Sequence, residues 1–203
     1  MANEAKSEKE LLCEAAHWCA ARGWVPATSG NFSVRDGGRI FISRSGLDKG
    51  QMRTRDLLEL DLEGNVLSGA GKPSAETVLH IVIYRDYPEA GAILHVHSVW
   101  NTLLSARFAG GRVVLENYEL LKALDGVTTH EHREAIPVLS NSQDYHLLSR
   151  ELTEALKEHP GTHGVLLGGH GLYTWGKSVA DARRHVEALE FLFEVEGRRI
   201  FGS

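Results

Sequence analysis

The chain has 203 residues, of which 42% are hydrophobic and 24% are charged, and it carries a formal net charge of −5. This length suits one domain spanning 1–203 with a sizeable core, and the apolar content excludes low-complexity disorder. The acidic balance excludes the strongly basic surface that is typical of nucleic-acid-binding proteins, so we expect no nucleic-acid partner.

Membrane and disulfide-rich classes are also disfavoured. No apolar run approaches the roughly 20 residues that span a bilayer, and residues 1–10 are too polar to be a signal-peptide core. Only two cysteines occur, Cys13 and Cys19, and their spacing is typical of two thiols on a helix rather than of a disulfide framework. We therefore expect a cytoplasmic protein without a membrane partner.

The first half of the chain opens with a helix and continues mainly in strands. Ser7 and Glu10 form a capping box at the start of the first helix, and Gly23 ends it. Pro73 and Ser74 predict the start of a second helix, which ends before Pro88. The other elements predicted in this half are strands at 32–35, 39–43, 58–62, 66–67 and 91–97 and a helix at 99–108.

The second half alternates strands and helices. Strands are predicted at 113–115, 136–139, 164–167 and 172–175, with a helical turn at 118–124 and a helix at 143–159. The last helix begins at Ser178, where Asp181 completes a second capping-box-like start. Interleaved strands and helices from end to end predict an α/β fold.

Three of the 11 histidines form a candidate zinc site. His95 and His97 are two residues apart on a predicted strand, so both imidazoles point to one face. His170 lies between glycines at a turn, where an open metal position can face solvent. Three histidines with one free position are typical of catalytic zinc, although a His-x-His pair alone is more often incidental.

Three loops rich in glycine and hydroxyl side chains are candidates for phosphate binding. They are 28–31, 43–46 and 72–75, and Ser74 also stands at a predicted helix N-terminus, where N–H groups favour an anion. Each loop taken alone is more typical of an ordinary turn or cap than of a phosphate site.

Two carboxylates are candidates for general acid–base chemistry. Glu76 follows Ser74, and Glu119 lies in the helical turn at 118–124. A carboxylate near a metal can move protons, but either residue could also be a solvated helix residue, and acidic residues in a first helical turn are common for dipole reasons. The residues alone do not rank the two.

In this order, the loops and histidines resemble the class II aldolase/adducin superfamily over nearly the whole chain. The segments that carry the resemblance are Thr28-Ser29-Gly30-Asn31, Ser45-Gly46, Pro73-Ser74-Ala75-Glu76-Thr77 with His80, His95-Val96-His97 and Gly169-His170-Gly171. Within the superfamily the chain is most similar to the methylthioribulose-1-phosphate dehydratases of methionine salvage, through 26–31, 119–124, 170–177 and 190–193.

The resemblance implies a three-layer α/β/α sandwich around a mostly antiparallel sheet, in a homotetramer with active sites near subunit boundaries. It implies one zinc ion per subunit on His95, His97 and His170, and Glu119 as the catalytic acid/base. The substrate phosphate is expected at the three loops, on Gly30, Asn31, Ser45, Gly46, Ser74 and Ala75.

The implied activity is a hydro-lyase reaction that dehydrates 5-methylthioribulose 1-phosphate to 2,3-diketo-5-methylthiopentyl 1-phosphate. Glu76 stands where the sugar-phosphate aldolases of the superfamily place their catalytic carboxylate. An aldolase or epimerase acting on another sugar phosphate therefore remains an alternative. A non-catalytic, adducin-like interaction domain is a remoter one, because a scaffold has no need of the three histidines.

Overall fold

The computed structural model describes residues 5–202, which form five α-helices and nine β-strands. In chain order these are α1 (Glu8–Ala21), β1 (Asn31–Asp36), β2 (Arg39–Ser43), β3 (Leu57–Leu60), β4 (Val66–Ser68), α2 (Thr77–Asp86), β5 (Ala92–Val96), α3 (Val99–Arg107), β6 (Arg112–Glu116), β7 (Arg133–Leu139), α4 (Tyr145–Glu158), β8 (Gly164–Leu167), β9 (Gly171–Gly176) and α5 (Val179–Phe201). Short 3-10 helices cover Lys49–Gln51, Thr54–Asp56 and Glu119–Ala123.

The nine strands form one sheet in the order β4-β3-β2-β1-β5-β9-β8-β7-β6. Seven of the eight neighbouring pairs are antiparallel, and only β7 and β8 run parallel. At the centre of the sheet, Asn31 of β1 and Tyr173 of β9 both pair with His95 of β5. The mostly antiparallel sheet predicted above is confirmed.

Helices cover both faces of the sheet. On one face α1, α3 and α5 pack over inward-facing residues of β1 and β5, such as Phe32, Leu94 and Val96. On the other face α2 and α4 pack over Ile93 and Tyr173. Because side chains alternate along a strand, His95 shares the face of Ile93. The three-layer α/β/α architecture is thus present, and the imidazole of His95 lies on the side of the sheet that carries α2.

Helix starts follow the predicted capping signals with one exception. Ser7 and Ser178 are the N-caps of α1 and α5, whereas α2 begins at Thr77 and not near Ser74. Glu76 occupies its N-cap position without a side-chain cap bond, and the Ser74 Oγ instead accepts a hydrogen bond from the backbone N–H of Glu76. The turn before α2 leaves the Glu76 carboxylate free to point away from the helix.

Smaller differences concern the ends of elements. Strand β5 ends at Val96, one residue before His97, and β7 begins three residues earlier than predicted, at Arg133. Within 5–202, none of the helices is both long enough and apolar enough to cross a membrane.

Candidate active site

The first imidazole of the site is fixed inside the sheet. His95 is fully buried, and its ring stacks on that of Tyr173 with 3.8 Å between the centroids. Its Nδ1 lies 3.0 Å from the carbonyl oxygen of Leu172, which can only accept, so Nδ1 carries the proton. The Nε2 lone pair of His95 is therefore directed outward and free to bind a cation.

Two further histidines bring their Nε2 atoms to the same point. The Nε2 atoms of His95 and His97 are 2.7 Å apart, and those of His95 and His170 are 3.4 Å apart. Gly171 lets the β8–β9 turn approach this closely, since a Cβ there would lie 2.4 Å from the carbonyl oxygen of Val96 and 3.0 Å from the ring of His95.

The cluster fits a metal ion. One ligand atom from each of the three histidines lies within 4.8 Å of the others. Burial lowers the pKa of His95 well below its ordinary value, and burial together with the neighbouring His170 lowers the pKa of His97 to about 4. Neutral imidazoles with converging lone pairs are the donor set that zinc and related divalent ions prefer, and three of them leave a coordination position open.

A carboxylate lies against the same histidines. Glu76 Oε1 is 3.1 Å from His170 Nε2, and Glu76 Oε2 is 3.5 Å from His95 Nε2. The side chain is only 12% exposed, and burial alone would raise its pKa, but the hydrogen bonds with His170 and Asn31 outweigh burial and hold the pKa of Glu76 below its usual range. Glu76 is an ionised carboxylate, placed to take a proton from a ligand or to complete a metal's coordination.

The amide of Asn31 holds this carboxylate from the sheet side. Its Nδ2 donates to Glu76 Oε2 at 2.6 Å, and its Oδ1 lies 2.5 Å from Nε2 of the fully buried His80. Two of the predicted residues, Asn31 and Glu76, are therefore joined by a direct hydrogen bond.

The three predicted phosphate loops lie along the rim of the cluster. Gly30 has φ +72°, and a Cβ there would lie 2.6 Å from the carbonyl oxygen of His95, so only glycine lets loop 28–31 pass so close to β5. The backbone N–H of Ser45, beside Gly46, donates to the carbonyl of Lys72 at 2.8 Å, which joins the second loop to the third, where Ser74 and Ala75 precede Glu76.

A buried lysine ties the first of these loops to Leu47, the residue that follows the second loop. The Lys49 side chain is 1% exposed, and its Nζ donates to the carbonyl oxygens of Thr28 at 3.1 Å and Leu47 at 2.8 Å. Burial lowers the pKa of Lys49 to about 8. Within 5–202 no carboxylate forms an ion pair with it. This arrangement leaves a positive charge under the rim that no carboxylate contacts directly.

Two hydroxyls on the rim also lack partners. Ser29 Oγ and Thr77 Oγ1 are buried and form no hydrogen bond with the described residues. Such groups are costly unless something satisfies them. A polar ligand seated on the loops would do so.

Glu119 is not part of this cluster within one chain. It lies in the 3-10 helix Glu119–Ala123 with 71% of its side chain exposed. It pairs with Lys122, which holds the pKa of Glu119 below its ordinary value, and its Oε2 lies 3.9 Å from His130 Nδ1. Glu119 also lines an apolar groove against α5 that includes Leu120 and Phe191.

Reasoning from the individual residues did not identify two members of the site, His80 and Lys49. The spacing of Glu76 and His80, four residues apart on a helix, is the signal that could have placed His80 next to the carboxylate. Lys49, three residues after Gly46, carries a weaker signal, because nothing in its sequence context indicates that the ammonium turns inward.

Comparisons with known proteins agree with this geometry. The family model for the class II aldolase and adducin N-terminal domain matches residues 10–196. A methylthioribulose-1-phosphate dehydratase from Methylococcus capsulatus is 56% identical over 188 residues, which make up 92% of this chain and 91% of that protein. A protein of the same name from Marinobacter nauticus is 48% identical over 189 residues, with 92% and 91% covered.

Among solved structures, an L-fuculose-1-phosphate aldolase from Thermus thermophilus superposes with a TM-score of 0.76 at 27% identity, covering 96% of this chain and 97% of the aldolase. The match to the family model over most of the chain, the two full-length relatives and this shared fold lead to one assignment. The chain belongs to the class II aldolase and adducin family.

Proposed function

We propose that this protein is a hydro-lyase of methionine salvage that dehydrates 5-methylthioribulose 1-phosphate to 2,3-diketo-5-methylthiopentyl 1-phosphate. The observation that carries the proposal is the convergence of His95, His97 and His170 beside Glu76, in a chain 56% identical over 92% of its length to a protein named for that reaction. The two buried free thiols, Cys13 and Cys19, suit a reducing cytoplasm.

We assign a single zinc ion per subunit to His95, His97 and His170. When bound, such an ion supplies Lewis-acid polarisation of carbonyl and hydroxyl oxygens. The partnered Nδ1–H of His95 keeps its Nε2 directed at that position. The substrate phosphate is assigned to the rim loops, on Gly30, Asn31, Ser45, Gly46, Ser74 and Ala75.

Proton transfer by carboxylates then accounts for the reaction. Dehydration removes the proton from C3 of the substrate. The C4 hydroxyl takes up a proton and leaves as water. The enol that results then becomes the 2,3-diketone. We assign the catalytic acid/base role to Glu119, while Glu76 stays beside the reacting carbons and orients them. Positioning such a group within reach of the proton is what makes general acid–base catalysis effective.

Because Glu119 lies outside the histidine cluster of its own chain, we propose a homotetramer in which it contributes to the active site of a neighbouring subunit. It is exposed in one chain and lies on an apolar groove where Phe191 is 56% and Leu120 37% exposed. Exposed apolar side chains around a carboxylate suit a contact with another copy of this chain. Light scattering of the purified protein tests the stoichiometry.

The decisive experiment is a product analysis. Metal-loaded protein is incubated with 5-methylthioribulose 1-phosphate, and the phosphorylated products are followed by mass spectrometry and phosphorus NMR. A product lighter by one water, with its carbon chain intact, is the expected result. Untouched substrate in the presence of bound metal would refute the substrate assignment and leave the metal site standing.

A second candidate function has a specific observation in its favour. Glu76 lies against the histidine cluster, where a base could deprotonate the C4 hydroxyl of a sugar phosphate and split the C3–C4 bond. Cleavage to a smaller phosphorylated ketone in the same assay would therefore assign the protein as an aldolase with Glu76 as its base.

A further inference from the structure

A line of buried polar side chains joins helix α2 to strand β1 beneath the site. Glu76, His80 and Tyr84 are spaced by four residues and so lie along one side of the helix. Asn31 and Ser33 are spaced by two and so share one face of the strand. The two sets meet between the layers, and the proposed function above assigns no task to His80.

Four consecutive hydrogen bonds connect these residues. Glu76 Oε2 and Asn31 Nδ2 are 2.6 Å apart, and Asn31 Oδ1 and His80 Nε2 are 2.5 Å apart. His80 Nδ1 and Ser33 Oγ are 2.7 Å apart, and Ser33 Oγ and Tyr84 Oη are 2.9 Å apart. His80 and Ser33 are fully buried, and Asn31 and Tyr84 nearly so.

The chemistry of each group determines which atom donates in each of these four hydrogen bonds. The carboxylate of Glu76 only accepts, so the NH₂ group of Asn31 faces it and the amide oxygen faces His80. His80 Nε2 must then carry the proton. Burial lowers the pKa of His80 to about 3, so the ring is neutral and its Nδ1 accepts from Ser33, whose hydroxyl accepts in turn from Tyr84.

We infer that His80 is a positioning residue, which sets the orientation of the Asn31 amide and thereby holds the Glu76 carboxylate against the histidine cluster. An amide can present either its NH₂ or its oxygen to a neighbour. With His80 donating to the oxygen, only the NH₂ remains for Glu76. Without that donor the amide can turn over, and its oxygen would then repel the carboxylate and move it from His170.

This role of His80 rests on the proposed function only because the kinetic test uses the proposed substrate. His80→Leu removes the donor while keeping an apolar side chain in the buried space. We expect kcat to fall on the order of 10- to 100-fold, with KM for 5-methylthioribulose 1-phosphate and bound metal little changed. His80→Gln, whose amide reaches the same point with an N–H, is expected to recover most of that loss.

Three comparisons separate positioning from a general structural role. If His80 acts through Glu76, the double variant His80→Leu/Glu76→Gln is no slower than Glu76→Gln alone. Tyr87→Phe is the matched control, because Tyr87 packs against Trp175 at the end of the same helix, outside the line. Removing its hydroxyl is expected to leave kcat unchanged. Thermal melts of each variant show which of them are folded.

The ring tautomer of His80 gives a readout that needs no turnover. Long-range proton–nitrogen NMR on the protein is expected to show a neutral ring protonated on Nε2. A ring protonated on Nδ1, an additive loss in the double variant, or a folded His80→Gln as slow as His80→Leu would overturn the inference. If the wild-type protein leaves the substrate untouched, the proposed function fails while the tautomer still decides this one.

Discussion

A buried carboxyl group on α5 predicts an unusual dependence of stability on pH. Glu190 is 3% exposed, and its Oε1 accepts a hydrogen bond from Asn101 Nδ2 at 2.7 Å. The same nitrogen lies 3.2 Å from the carbonyl oxygen of Val96, the residue between two histidines of the cluster. Burial raises the pKa of Glu190 to about 7, against the opposing hydrogen bonds of Ser98 and Asn101.

The sign and size of the effect follow from that pKa. Between the ordinary carboxyl value of 4.5 and about 7, the folded chain keeps a proton on Glu190 that the unfolded chain releases. The free energy of unfolding therefore falls as pH rises through this window and levels off above it. The difference between the two pKa values corresponds to a loss on the order of 3 kcal/mol.

Urea unfolding of wild-type protein and of Glu190→Gln at a series of pH values from about 5 to about 8 measures this loss. The variant, which has no proton to release, is expected to show a flatter profile at equal protein concentration. Glu194→Gln is the control, since Glu194 lies on the same helix with 43% of its side chain exposed and should leave the wild-type slope intact. Identical profiles for wild type and Glu190→Gln would refute the reasoning.

Three substitutions test the site itself. Glu119→Gln is expected to keep its bound metal and to lower turnover by about two or more orders of magnitude, so near-normal turnover in the product assay would remove Glu119 from the mechanism. His97→Ala should lose both metal and activity, and full metal occupancy by elemental analysis would contradict the three-histidine site. Lys49→Met removes the donor to the carbonyls of Thr28 and Leu47, and we expect calorimetry to show inorganic phosphate binding about tenfold more weakly with metal content unchanged, whereas equal affinity would show that the buried ammonium does not support the loops.

Much of the fold could be predicted from local signals. The serine caps at Ser7 and Ser178 fixed two helix starts, because a cap needs only residues that are close in sequence. Alternation along β5 predicted that His95 faces away from Leu94 and Val96, since every strand residue turns to the opposite face. The start of α2 was misplaced because Ser74 caps a turn, and the turn is needed to aim Glu76 at the cluster.

The parts that local signals could not supply depend on contacts between distant segments. The role of His80 follows from β1 lying beside α2, and Lys49 turns inward because two loops present their carbonyl oxygens to it. The first contact leaves only the four-residue spacing of Glu76 and His80 as a trace in the sequence, and the second leaves no periodic pattern. Glu119 is the extreme case, since within one chain it contacts only Lys122 and His130 among the ionisable side chains of the described residues.

The carboxylates of Glu76 and Glu119 differ in how firmly contacts within one chain hold their oxygens. Oε2 of Glu76 accepts from Asn31, and its Oε1 lies against His170, so its position is fixed and its basicity is reduced by the hydrogen bonds it accepts. Glu119 is held only by surface contacts that salt and solvent weaken. Covering it with another subunit would remove water and raise its proton affinity. A residue that must both take and return a proton gains from such an environment, which favours Glu119 for the transfer and Glu76 for orientation.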